Sequence, residues 1–339
     1  METLPMRKLL GPLFAAFLML PAGSSAAQQS QAEATEPVAA ETVAGPLVEV
    51  ATIDVGKWPE GIVTVGDSAW VAVSGEKKLA RLDLQANTVA ADIAVGRLPV
   101  NVAVWNDQLI FAISQTDQLV WKIDQRSNRA EVLRSIGDCP QDFALSGDRL
   151  YVLIWNDCSS ANASVMIIDL NSPNTTQTIQ DLGPDAWQIT VGEDGVIWIA
   201  QGSVGITKID GRSLATDAVF QPNAGAQHLT VRENGIYYFS RERPDLLVKI
   251  DPDTGSEIAS APIGQNIVTL WSGNDEIRLL TGQGKFFRFS DSNDFTNGVI
   301  PFVGNHTPAK PFMPESATDH GDDGIAVTLS SGQVMTFRY

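Results

Sequence analysis

The sequence is poor in several residue types, and each shortage excludes a class of protein. Its 339 residues include 2 cysteines, 3 histidines, and 23 Lys or Arg against 40 Asp or Glu, a formal net charge of −17. An acidic chain without a basic patch is unsuited to nucleic acid and to anionic lipid. Three scattered histidines and no C-x-x-C pair predict no cofactor and no metal ligand set, although a divalent metal stays an open alternative.

Long apolar runs are also missing, except at the start of the chain. Arg7 and Lys8 precede the apolar segment 9–20, and residues 25–27 (SAA) fit a cleavage site. Because a membrane-spanning helix needs about 20 apolar residues, we interpret residues 1–27 as a cleaved signal peptide, with an uncleaved anchor as the alternative. We therefore expect a periplasmic or secreted protein with no membrane insertion after cleavage.

The next segment, residues 28–46, is rich in Ala, Gln, Glu and Thr and has no aromatic side chain. Such a composition cannot bury enough apolar surface to offset the entropy that is lost on ordering. We predict a flexible acidic, Ala-rich tether here, with a docking arm as the alternative. A single folded domain is predicted at 47–339.

The folded domain has no helical periodicity and repeats a unit of 41 to 45 residues. The repeat is marked by aspartates that end apolar strands: Asp83, Asp124, Asp169, Asp210 and Asp251. A second apolar strand, followed by a polar loop, precedes each of these strands. Repeats of this length built from four strands are typical of β-propeller blades, whereas a β-sandwich does not explain a regular period.

The first strand of the domain can supply the strand that its last repeat lacks. The last repeat has room for only three strands, and an unassigned alternating strand stands at 47–55. We therefore predict an all-β, seven-bladed β-propeller that closes by pairing its N-terminal strand with the last blade. Closure of this kind leaves no long unpaired edge.

Several motifs resemble a known group of propellers. They are the P-x-x-V-x-V-type opening at 59–65, the strands around Trp70-Val71 and Trp198-Ile199, the strand-ending aspartates, and the D-P-x-T-G turn at 251–255. The chain resembles the YVTN/YncE-like seven-bladed propellers, although the YVTN signature itself appears nowhere intact. The resemblance implies the fold, and it leaves the function open because the group includes binding proteins and surface proteins.

In propellers with this strand order, the segments that enter the innermost strands converge around the mouth of the central channel. Ligands favour such preformed concave sites. The residues predicted to bind a ligand there are Trp58, Glu60, Asn101, Asp142, Asp185, Trp187, Gln188, Gln227, His228, Asn266 and Glu315. Each of them can equally be a hydrated rim residue. Glu60 and Glu315 come from the first and last repeats, so they are expected to be neighbours.

Two functions remain open at this point. We favour a monomeric binding or scaffold propeller that recognises a periplasmic partner protein or a small molecule at the channel mouth. The alternative is a lyase- or lactonase-type enzyme in which His228 acts as a base beside a carboxylate and possibly a metal. Because no catalytic constellation is visible, no catalytic residue is assigned, and His228 can also be a structural histidine.

Three further stretches carry predictions. Residues 140–145 and 150–155 read as a hairpin with Cys139 and Cys158 at its open end, so we predict a disulfide, with two free thiols as the alternative. The Asp and Gly residues at 251–255 and 320–324 favour turns over calcium sites. The proline-rich stretch 301–315 is predicted to be a partial lid over the mouth or a long connection.

Overall fold

The computed structural model describes residues 43–339, apart from 193, 222–224, 274, 292–297 and 322. The predicted signal peptide and residues 28–42 of the predicted tether lie outside this range. The described chain contains strands and three short 3-10 helices, Ser74–Glu76, Asn106–Gln108 and Asn156–Cys158. Within the described range, no helix has the length and apolar character needed to cross a membrane.

Five four-stranded antiparallel sheets follow one another along the chain, with their strands in sequence order. The first contains β2 (Pro59–Val65), β3 (Ser68–Val73), β4 (Lys78–Asp83) and β5 (Thr88–Ala94). The second contains β6 (Pro99–Trp105), β7 (Leu109–Ser114), β8 (Leu119–Asp124) and β9 (Arg129–Ser135). The third contains β10 (Cys139–Ser146), β11 (Arg149–Trp155), β12 (Ala163–Asp169) and β13 (Thr176–Ile179).

The fourth sheet contains β14 (Ala186–Val191), β15 (Ile197–Gln201), β16 (Gly205–Ile209) and β17 (Thr216–Phe220). The fifth contains β18 (Ala226–Arg232), β19 (Gly235–Ser240), β20 (Leu246–Ile250) and β21 (Glu257–Pro262). An eight-stranded sheet holds the rest: β22 (Ile267–Gly273), β23 (Glu276–Thr281), β24 (Phe286–Ser290), β25 (Phe302–Pro308), β1 (Val43–Asp54), β28 (Gln333–Arg338), β27 (Gly324–Leu329) and β26 (Pro314–Asp319), in that order.

Strand β1 joins the two halves of the eight-stranded sheet. Its residues 43–47 pair in parallel with β25, and its residues 48–54 pair antiparallel with β28. The N-terminal strand therefore pairs with the last strand of the chain. It begins at Val43, before the boundary predicted at 47, because β25 offers backbone partners to its first residues.

We call the five four-stranded sheets and the two halves of the eight-stranded sheet, β22–β25 and β26–β28 with β1, groups. The first strand of each group contacts the first strand of the next. This contact runs from β2 through β6, β10, β14, β18, β22 and β26 and returns to β2, so these strands form a closed ring around a channel. Apolar side chains fill the space between neighbouring groups. Trp70 and Leu79 of the first sheet, for example, pack with Val102 and Ile110 of the second.

The strand-ending aspartates shape the turn between the third and fourth strands. Asp251 Oδ1 accepts hydrogen bonds from the backbone N–H groups of Asp253 (2.9 Å) and Thr254 (2.7 Å). The same pair of bonds recurs at Asp83, Asp124 and Asp210. The bond from the N–H three residues on is the largest cause of the lowered pKa of Asp124, Asp210 and Asp251. The aspartate that marks each repeat therefore stabilises the turn that follows its strand.

Replacing Asp251 with Ala is expected to lower the free energy of unfolding, because two backbone donors lose their acceptor. Replacing the exposed Glu242 with Ala is the control, and it should change the stability by less than about 0.5 kcal/mol. Denaturant unfolding of both variants measures the difference. Equal stability of the two variants would contradict the turn role.

The proline-rich stretch at 301–315 is neither a lid nor a simple connection. Residues Phe302–Pro308 form β25, which pairs with β24 and β1, and His306 on this strand is buried. The prediction missed this strand because Gly304, Asn305 and the flanking prolines break the β-branched pattern that is typical of strands.

The predicted disulfide is confirmed. Cys139 and Cys158 are bonded, with their Cα atoms 4.9 Å apart. The hairpin between them has the predicted turn, since Leu145 pairs with Leu150. The bond fastens the beginning of β10 to the loop that follows β11.

Candidate functional site

One face of the ring gathers two sets of segments: those that enter the first strands, and the loops that join second strands to third strands. In five groups, the first residue of such a loop donates its N–H to the carbonyl of the residue before the first strand. The bonds run from Ser74 to Trp58, Gln115 to Leu98, Gly202 to Asp185, Gly282 to Asn266, and Ser330 to Met313. We call this face the mouth face.

Every first strand opens with a β-bulge on the mouth face. Bulges redirect side chains and recur beside functional sites. Of the predicted site residues, Glu60, Trp187, Gln227 and Glu315 lie in a bulge, and Asn101, Asp142, Gln188 and His228 follow one. The other three, Trp58, Asp185 and Asn266, immediately precede a first strand. All eleven are thus at strand entries, and their binding role stays a prediction.

Side chains that follow the bulges bond from one group to the next. Asn101 Nδ2 donates to Asp142 Oδ1 (2.5 Å), and the N–H of Ile189 donates to Asp142 Oδ2 (2.9 Å). One group further on, Gln188 Oε1 accepts from the N–H of Leu229 (2.7 Å). These side chains therefore satisfy backbone donors at the open edge of the first strands.

No Lys or Arg in the described part of the chain bonds to the carboxylate of Asp142. Burial raises its pKa to about 6, and the hydrogen bonds from Ile189, Asn101 and Phe143 offset only part of this rise. Part of its surface is still accessible. Because the folded pKa lies above the ordinary value of 3.8, the stabilising contribution is present at acidic pH and is lost as the pH rises through about 6. Such perturbed groups concentrate at functional sites.

His228 packs against an aromatic ring. The ring of Phe239 lies 5.3 Å away, centroid to centroid, with the planes 19° apart. Burial lowers the pKa of His228 to about 4, so the imidazole is neutral at physiological pH. Within the described range, no carboxylate affects its pKa. A neutral ring stacked on Phe239 is the environment of a structural histidine, which is the other interpretation of this residue.

Two large apolar side chains are exposed at the rim of the mouth face. Trp58 is 61% exposed and Met313 is 67% exposed; they precede β2 and β26, which are adjacent in the ring. The other large apolar residues with comparable exposure in the described range are valines. Trp58 also has a left-handed φ of 54°, which is unfavourable for a bulky side chain.

The predicted neighbours Glu60 and Glu315 lie on these two adjacent strands. Thr328 Oγ1 accepts from the N–H of Ser316 (3.0 Å) and donates to the carbonyl of Glu60 (2.9 Å). This hydroxyl therefore joins the entries of β26 and β2 across the point where the ring closes. Glu315 is exposed, and Glu60 is partly buried with Ser74 Oγ 3.3 Å from its carboxylate.

An aromatic pair joins the sheet of Asp142 to the next one, since Trp155 lies on β11 and Trp187 lies on β14. Trp155 and Trp187 meet edge to face, with centroids 4.9 Å apart, and Trp155 Nε1 donates to the carbonyl of Ala186 (2.6 Å). The guanidinium of Arg241 lies over the Trp187 ring at 5.4 Å. Sequence reasoning named Trp187 and missed Trp155, because a Trp at the end of an apolar strand reads as core.

Comparison with solved structures resolves the fold. No family model and no curated protein matches the chain. A chain in a crystal structure of the mitotic checkpoint complex superposes with a TM-score of 0.70 and 13% identity, covering 96% of this chain and 99% of that one. The fold is a β-propeller. The computationally designed protein Ika8 superposes on it with a TM-score of 0.63 and 8% identity, over 86% of this chain and 100% of Ika8.

These similarities establish the propeller fold and no more specific property. At 13% and 8% identity they carry no information on ligand or activity, and they do not show membership of the YVTN/YncE-like group. The four-stranded sheets are the propeller's blades, and the first strands are their innermost strands. In the described part of the propeller, no three His, Cys, Asp or Glu side chains are grouped as metal ligands.

Proposed function

We propose that this protein is an exported, seven-bladed propeller of the YVTN/YncE-like type that binds a partner protein at its mouth face. Seven blades are supported by the five four-stranded sheets, the two halves of the eight-stranded sheet, and the cycle of innermost strands. Export is supported by the signal-like segment 1–27 and by the disulfide, since such bonds persist in oxidising compartments.

The observation that carries the binding role is the joint exposure of Trp58 and Met313 at the rim. Single exposed apolar residues are normal, but aromatic residues and Met are enriched at protein interfaces. These two belong to neighbouring innermost strands, so they can contact one partner together. A protein partner is also consistent with the similar chain from the mitotic checkpoint complex, which belongs to an assembly.

The double variant Trp58→Ala/Met313→Ala is expected to reduce capture of the partner at least tenfold, because the two exposed side chains supply the apolar contacts at the rim. The matched control, Val132→Ala/Val219→Ala, removes valines that are 49% and 44% exposed on outer strands. Quantitative affinity capture from periplasm or culture medium compares the three proteins. Equal capture by all three would place the partner elsewhere and contradict the proposal.

A further inference from the structure

We propose that the mouth contains a site for an organic cation, a primary ammonium or guanidinium group, whose charge is received by the carboxylate of Asp142. This inference rests on the proposed function, because it specifies the chemistry that the mouth selects. It is carried by three observations: the charges at the strand entries, the acceptors around Asp142, and an aromatic face that already holds a cation.

The first observation is the one-sided charge of the strand entries. The bulged residues and those that directly follow them on the seven first strands include three carboxylates, Glu60, Asp142 and Glu315, and no Lys or Arg. The net charge of −17 for the whole chain favours the approach of cations over a longer range. A cationic group that reaches the bulges therefore meets carboxylates and neutral side chains, whereas the outer part of the mouth face also carries Arg97 and Arg241.

The second observation is the arrangement of acceptors around Asp142. The carboxylate accepts hydrogen bonds from three neutral donors, Asn101 Nδ2 and the N–H groups of Ile189 and Phe143, and no cation of the described residues lies against its charge. On the neighbouring strands, Asn101 Oδ1 and Gln188 Oε1 are also oriented as acceptors, each toward one backbone N–H.

An oxygen of this kind accepts more than one hydrogen bond, and an ammonium group has three donors. Enclosing a charge without an opposite charge is costly, whereas a bound cation offsets the cost. The site therefore has the acceptors and the charge that an ammonium or guanidinium group needs, and among the described residues no Lys or Arg bonds to Asp142 itself.

The third observation is the Trp187 ring beside Gln188. The Arg241 guanidinium lies 5.4 Å from its centroid, which is within the range of a cation–π interaction. Trp155 supports the ring edge to face. Arg241 is exposed, so a cation of the ligand can take its place without displacing a buried group.

The same cation can come from a free small amine or from a Lys or Arg side chain of the partner protein. Arginine amide serves as the small probe, and an unstructured octapeptide with one Lys serves as the polypeptide probe. A peptide with Gln in place of that Lys is its control. Titration calorimetry with the full-length mature protein then measures binding. Binding of arginine amide or of the Lys peptide supports the site and identifies the source, and the absence of both overturns it.

The Asp142→Asn variant is expected to bind the cationic probe at least tenfold more weakly than the wild type. Glu257→Gln, which removes an exposed carboxylate on the outer strand β21, should change the affinity less than threefold. The wild-type affinity should rise as the pH increases through about 6, because Asp142 must be ionised. Asp142→Asn should lose this rise. Glu60→Gln and Glu315→Gln test the other carboxylates of the mouth, and His228, whose pKa burial lowers to about 4, stays neutral in this window.

Carboxyl carbon NMR of the wild type keeps the test decisive if Asp142→Asn fails to fold. A bound cation should lower the pKa of Asp142 by at least one unit, and an unchanged pKa would overturn the site. Loss of probe binding combined with capture that still depends on Trp58 and Met313 would overturn the cation site alone. The reverse result, probe binding without rim-dependent capture, would overturn the proposed partner surface and leave the cation site.

Discussion

Replacing Arg278 with Ala is expected to lower the free energy of unfolding by about 3–5 kcal/mol, because removing one partner of a buried ion pair leaves an uncompensated charge. Arg278 is 1% exposed. Its Nη1 lies 2.5 Å from Asp319 Oδ1, and its Nε lies 3.3 Å from Glu276 Oε2. Denaturant unfolding followed by tryptophan fluorescence measures the loss.

The position of this ion pair explains why the effect should be global. Arg278 lies on β23 and Asp319 on β26, so the bond fastens two neighbouring blades at the point where β1 also joins them. Trp271 Nε1 donates to the same carboxylate (2.8 Å), and Arg288 binds Glu276 on the other side. Loss of Arg278 therefore weakens the contact between two blades and not a single hairpin.

The pH dependence of this network follows from Glu276. Burial alone would raise the pKa of Glu276, but the hydrogen bond and charge of Arg288, together with Arg278, outweigh burial and lower the pKa. A carboxylate with a lowered folded pKa stabilises the protein above its ordinary value of 4.5. This contribution is lost as the pH falls through the folded pKa.

An exposed pair provides the matched control for Arg278. Arg97 Nε lies 2.6 Å from Asp117 Oδ1, but the Arg97 side chain is 58% exposed. Exposed pairs are worth less than about 1 kcal/mol, so Arg97→Ala should cost correspondingly little. Similar losses for Arg97→Ala and Arg278→Ala would show that the buried pair does not hold the blades together.

The propeller was predictable because its local signals repeat. The Asp251-type turn recurs on the same backbone donors, and each occurrence marks the same place in a blade. β25 was not predictable in this way, because its partners, β24 and β1, supply the pairing that its own sequence does not signal. The same parallel partner explains why β1 begins at Val43.

The site was predictable in position and not in chemistry. The entering segments pointed to Asp142 and Trp187, but their sequence shows neither the burial that raises the Asp142 pKa nor the guanidinium of Arg241 over the ring. A further signal was available, since a Pro stands directly before the bulge of four innermost strands: Pro59, Pro99, Pro140 and Pro314. Proline within a sheet is confined to edges, strand starts and bulges.

Removing the disulfide with Cys139→Ala/Cys158→Ala is expected to lower the free energy of unfolding by about 3 kcal/mol. The two residues are 19 positions apart, and a cross-link that closes a loop of this size limits the freedom of the unfolded chain by roughly that amount. The wild type should lose the same stability when a reductant is added, whereas the double variant should not respond to it. A wild type that is equally stable with and without the reductant would contradict the prediction.

The loss of the disulfide should also change the surroundings of Asp142 at the mouth face. The bond holds the loop after β11 against β10, and within that loop Asp157 and Cys158 have left-handed φ values of 54° and 53°. A cross-link helps to maintain this unfavourable conformation, together with the bond from the Asp157 N–H to Asp138 Oδ1 (2.9 Å). Because Asp142 follows Cys139 on β10, opening the loop should hydrate its carboxylate. We therefore expect the double variant to shift the pKa of Asp142 from about 6 toward its ordinary value, which carboxyl carbon NMR can measure while the propeller stays folded.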